Sequence, residues 1–148
     1  MLQAGEVDAA IGAGAPSTLD IRYLIDNPNE AAADWYKRNG IYPVNHTVVI
    51  QDKVLQAEQW VAEELFNALR TSKDLYVQRL RSSGPANAED ENRTRAMAIL
   101  GGADPLPYGV EANRKGLETL IKFAADQKIL PRPYRLDEFI PSWMHGFK

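Results

Sequence analysis

The chain of 148 residues is 45% hydrophobic and 25% charged, an ordinary globular composition with enough apolar residues for a core and no case for disorder. Its net charge of −3 supplies no basic field, so no nucleic-acid partner is expected. The absence of cysteine removes disulfides, thiolate metal sites and a cysteine nucleophile, and no apolar run is long enough to span a bilayer, so no membrane insertion is expected.

In chain order, residues 2–5 read as a helix end with Gly5 at the stop, followed by an apolar run (Val7, Ala9, Ala10, Ile11) that suits a buried parallel strand. The first sixteen residues lack a basic stretch ahead of an apolar one and do not read as a signal peptide. Residues 12–20, rich in Gly, Pro, Ser and Thr, read as loop, and Ile21 to Ile25 as a short strand. Asn29 can cap a helix over Glu30 to Asn39, which Gly40 stops. His46 to Ile50 (HTVVI) is a β-branched run expected to be a buried strand.

A long helix follows Asp52. Val61, Leu65, Ala68 and Leu69 recur at helical spacing, and Leu75, Tyr76 and Leu80 resume the pattern. Core packing explains this stripe better than a membrane surface does. Ser82 to Asn92 is polar and reads as an exposed linker, and Arg93 to Leu100 as a short helix ending at Gly101–Gly102. Asp104 to Gly109 (DPLPYG) fixes a bent path. Val110 to Gln127 is the clearest helix, with Val110, Leu117, Leu120, Ile121 and Ala124 on its buried side, and Leu136 to Ile140 reads as one helical turn. This order predicts an α/β fold whose few strands form an incomplete sheet with packed helices.

Three segments carry a family likeness: GEVDAAIGAGAP (residues 5–16), GIYPVNHTVVI (residues 40–50) and DPLPYGVEANRKGLETLIKFAADQKIL (residues 104–130). The second and third, in this order and spacing, resemble the 4,5-dihydroxyphthalate decarboxylase family. In that family a Pro-x-x-His-Thr-Val strand precedes an Asp-Pro-x-Pro-Tyr-Gly helix start. The resemblance implies the C-terminal portion of a two-lobed, type II periplasmic-binding-protein-like fold. Residues 1–15 would end lobe two, residues 16–44 would form a hinge, and residues 45–148 would be the C-terminal share of lobe one. The implied reaction releases carbon dioxide from a hydroxylated aromatic dicarboxylate, giving protocatechuate. A small aromatic acid is then the partner and the cytoplasm the location. The alternative is a non-catalytic solute-binding protein of an ABC-type transporter for a small aromatic or organic anion, which would be periplasmic. Fold alone does not separate the two. Unpaired sheet edges would make the chain a homo-oligomer.

Loss of the carboxylate needs a general acid at the ring carbon, an acceptor at the phenol para to it, and cations for the retained carboxylate. His46 opens its strand and carries the side-chain type best suited to proton transfer, so it reads either as the proton donor or as a structural histidine. Asn45 and Thr47 flank it and would point to the opposite strand face. Arg22, in the hinge segment, and Arg114 suit a carboxylate, since a guanidinium binds both oxygens. Arg114 could instead pair with Glu111 or Glu118. Tyr108 could offer its hydroxyl to a ligand or its ring to the core. The cofactor is left open by these residues. His46 and His145, the only histidines, lie far apart, and neither they nor Asp8 and Asp104 have metal-ligand spacing. Gly12 and Gly14 lack the Gly-x-x-Gly-Lys pattern of a phosphate loop.

Overall fold

Long-range order in this chain comes from one long helix and what packs against it. The computed structural model describes residues 1–12, 18 and 20–147, which divide into two units, Met1–Gly40 and Ile41–Lys148. Most of the expected loop at residues 12–20, including Gly14, lies outside the described residues.

The first unit contains one helix, α1 (Pro28–Asn39). Proline at the first helical position loses no intrahelical bond, and Asn27 supplies the preceding left-handed residue at φ 49°. The N–H of Gly40 closes the helix on the Tyr36 carbonyl. None of its residues is fully buried.

The second unit carries α2 (Asp52–Ala57), α3 (Trp60–Ser83), α4 (Ala88–Ile99) and α5 (Val110–Asp126). At 1.5 Å per residue, α3 is about 36 Å long. Its inward stripe runs through Ala62, Phe66, Leu69, Tyr76, Val77 and Leu80, spaced for one helix face, and Ala62, Val77 and Leu80 are buried. Phe66 packs on Tyr108 and Phe147, with ring centroids 5.3 and 5.5 Å apart, and Trp143 packs on Phe147 at 5.8 Å. This aromatic chain joins α3, the bend before α5 and the C-terminal segment. That segment holds two 3₁₀ turns, Leu136–Glu138 and Ser142–Met144, and Leu136 is buried.

α4 is fastened to α3 by a buried carboxylate. Asp90, 1% exposed, accepts from Arg79 Nη2 on both oxygens at 2.9 Å, from the Tyr76 hydroxyl at 2.8 Å and from the Ala86 N–H at 2.9 Å. Its own N–H donates to the capping Asn87 side chain at 2.9 Å. The expected linker over Ser82 to Asn92 is therefore corrected: α4 begins at Ala88, and its first turn holds the most buried polar side chain described.

The expected α/β fold with an incomplete sheet is also overturned. Among the described residues there is no strand and no bridge. A strand needs a ladder for its backbone N–H and C=O groups, and the apolar runs find none. His46 to Ile50 forms no regular element and pairs in no sheet, with Val48 60% and Val49 87% exposed. Ile11 and Leu24, placed on expected strands, are fully exposed. Leu120, assigned to the buried side of α5, is also exposed. Among the described residues, no helix is long and apolar enough to cross a membrane.

Candidate functional site

The bend before α5 explains how the site is held. Asp104 Oδ1 accepts the Leu106 N–H at 2.8 Å, and its other oxygen accepts Lys73 Nζ from α3. The Asn113 side-chain amide donates to the carbonyls of Pro107 and Gly109, both at 2.9 Å. Asp104 and Asn113 thus brace the first turn of α5 and fix the direction of the residue after it, Arg114.

Arg114 stands on the wall of a cleft of about 570 Å³ between α5 and the C-terminal segment, a volume suited to a small molecule. Leu136, Ile121 and Pro133 supply apolar surface, and Arg135, Ser142 and His145 supply polar groups. Glu111 accepts from Arg114 Nε at 3.1 Å and Glu118 from Nη1 at 3.3 Å, so the guanidinium is held from two sides. Arg114 raises its own pKa by these bonds to Glu111 and Glu118 and remains a permanent cation. The same contact holds the Glu111 carboxyl below its ordinary value.

His145 is oriented by the backbone. Its Nε2 lies 2.9 Å from the Ile140 carbonyl, which can only accept, so Nε2 carries the proton. Its Nδ1 is 3.5 Å from Arg114 Nη2, which can only donate, so Nδ1 presents a lone pair. The two neighbours therefore specify one neutral tautomer, as in sites where a second group orients a proton-transfer histidine.

The Leu136–Glu138 turn packs against α5 and is tied by charge. Glu138 accepts two bonds from Arg132, at 2.6 and 3.2 Å, and the Arg135 N–H at 2.7 Å. These contacts, Arg132 first, lower its pKa from 4.5 to about 2. Because the folded value is the lower one, the stabilisation is complete above the ordinary value and is lost as pH falls from there toward 2. Glu138→Gln is therefore expected to melt a few degrees below the parent near neutrality and to match it by about pH 2. Thermal melts across that range check it, and a constant difference would remove Glu138 as its source.

The residues singled out from the sequence scatter. Asn45, His46 and Thr47 are exposed on the extended segment and do not line the cleft. Arg22 is exposed and belongs to the first unit. The Tyr108 ring is half-buried against Phe66. Arg114 pairs with both glutamates and also reaches the cleft. His145, which the sequence suggests only as a metal-ligand candidate without a partner at ligand spacing, lines the cleft. The signal that could have raised it is the aromatic setting of Trp143 and Phe147 around it. Among the described residues, no group of three or more His, Asp or Glu side chains gathers as metal ligands.

The chain resembles a decarboxylase. It is 31% identical over 157 aligned positions to 4,5-dihydroxyphthalate decarboxylase of Comamonas testosteroni, in an alignment that takes in all of this chain. The chain spans about half, 48%, of the length of that relative. No protein-family profile matches the sequence.

Proposed function

We propose that this chain contributes to a carboxy-lyase that releases carbon dioxide from a hydroxylated aromatic dicarboxylate such as 4,5-dihydroxyphthalate. The observation that carries the reading is the 31% identity to a decarboxylase along the whole chain. The braced start of α5 is consistent with it, because the Asp104 to Arg114 segment delivers a guanidinium to a cleft of small-molecule size. In this reading a cleft cation holds a ligand carboxylate and His46 gives a proton to the ring carbon. Asn45, Thr47 and Tyr108 contact the substrate in this reading, and the cytoplasm is the location.

The test is carbon dioxide release from 4,5-dihydroxyphthalate by protein expressed from the complete reading frame, with His46→Ala beside it. The parent is expected to release carbon dioxide, and His46→Ala to be slower by about 10²–10⁴ with an unchanged melting curve. No release by the parent would overturn the reading. Equal release by both proteins would remove His46 from the chemistry.

A further inference from the structure

We infer that His145 and Arg114 form a phenol-binding and phenol-ionising pair. The inference rests on the decarboxylase reading for its reaction, but on the cleft alone for its ligand: an aromatic acid bearing a free hydroxyl.

The pair has unused capacity. At 3.5 Å, the contact between Arg114 Nη2 and His145 Nδ1 is too long for a strong hydrogen bond. A hydroxyl oxygen seated beside the two nitrogens, about 2.8 Å from each, can donate to the imidazole lone pair and accept the second hydrogen of Nη2, whose first goes to Glu111, so one weak bond gives way to two better ones. A carboxylate oxygen can take only the second of these, so the pair distinguishes a phenol from a carboxylate. The tautomer is already set, because Nε2–H is committed to the Ile140 carbonyl at 2.9 Å. The guanidinium cannot swing away freely, because Glu111 and Glu118 hold its Nε and Nη1. Ile121, Pro133 and Leu136 offer the apolar surface on which an aromatic ring can lie.

The pair supplies the electron-donating half of the reaction. Nδ1 takes the phenolic proton, and the electron pair of the broken O–H bond enters the ring while Arg114 stabilises the charge on oxygen. The para carbon takes a proton from water at the open side of the cleft, since His46 does not line it. The bond from that carbon to its carboxylate then breaks, its electron pair returns to the ring, and carbon dioxide leaves. The imidazolium returns its proton to the oxygen. One proton is consumed and one carbon dioxide formed. His145 is thus placed as a further catalytic residue.

The chain has only two histidines, so ring nitrogen NMR resolves both, with His46→Ala giving the assignment. The probes are 3,4-dihydroxybenzoate and 3,4-dimethoxybenzoate, added to ¹⁵N-histidine-labelled protein. Expected is a shift of His145 Nδ1 with the dihydroxy acid and none with the dimethoxy acid. His145→Gln is expected to weaken the dihydroxy acid by about tenfold, the loss of one good hydrogen bond, and to leave the dimethoxy acid unchanged. A shift confined to His46, the same shift with both acids, or unchanged affinity in His145→Gln would overturn the inference. The labelled parent protein answers independently of how the variant folds. Hydroxyl-dependent shifts without carbon dioxide release would support the pair as a phenol site while the decarboxylase reading fails. Release without any His145 response would do the reverse.

Discussion

Asp90→Ala is expected to lower the melting temperature by roughly 10 °C, the largest single effect in the second unit. The carboxylate accepts from three donors on two pieces of chain: Tyr76 and Arg79 on α3, and the Ala86 N–H ahead of α4. Alanine leaves all of them without this acceptor, in a place where the carboxylate itself is almost fully buried. The donors themselves are partly or largely exposed, so the cost is the loss of several bonds to one charged acceptor that ties the two helices together. The Ala86 N–H, then the Tyr76 hydroxyl and Arg79, hold the Asp90 carboxyl below its ordinary pKa, so it stays ionised and paired down to acid pH. Asp90→Asn keeps the shape and removes the charge. It is expected to fall between the parent and alanine, because its amide nitrogen must face a donor. Helix melting by circular dichroism checks the series. A change of under about 2 °C in Asp90→Ala would show that α4 is held by something else.

Gly109→Ala is expected to cost about 1–3 kcal/mol and to loosen the C-terminal segment selectively. Gly109 sits at φ 94° and ψ 162°, a region that residues with a Cβ essentially avoid. Space is short as well: a Cβ there would lie 3.1 Å from the Phe147 carbonyl oxygen and 3.6 Å from the Phe66 ring. Either the bend before α5 or Phe147 must move, and Phe147 follows His145 by two residues. Hydrogen exchange is expected to rise first over Ser142 to Phe147, with α4 protected as before. A uniform rise across both would mean that the bend stabilises the whole unit and does not specifically seat the segment.

How much of this was legible depends on the distance over which each interaction acts. The helices were readable because their causes are local: the stripe of α3, the glycine that stops α1, and the Asp104 to Gly109 bend ahead of α5; the start of α1 was not, since Asn29, expected as its cap, lies inside a helix that begins at Pro28. The strands were misread because β-branched runs such as HTVVI show only a preference, and a preference becomes a strand when a ladder forms. Asp90 was hidden because polar residues are normally exposed, and nothing local reveals that Tyr76 and Arg79, one helix earlier, converge on it. Arg114 was visible as a cation, and its two glutamate partners lie at helical spacing. Its meeting with His145 was not visible, because 31 residues of intervening chain must fold before the two become neighbours.

Gly116 couples parts of the molecule that the chemistry treats separately. A Cβ there would stand 3.2 Å from the Tyr42 carbonyl oxygen and 3.7 Å from Val44 Cγ2, so the segment leading to His46 runs against the bare backbone of α5. Arg114 lies two positions before that contact and His46 two positions after Val44. The missing methyl thus acts as a spacer set to zero. Any added width would push the histidine-bearing segment outward relative to the helix that carries the cation. The reach between the proposed proton donor and the cleft is therefore governed by a residue with no functional group of its own.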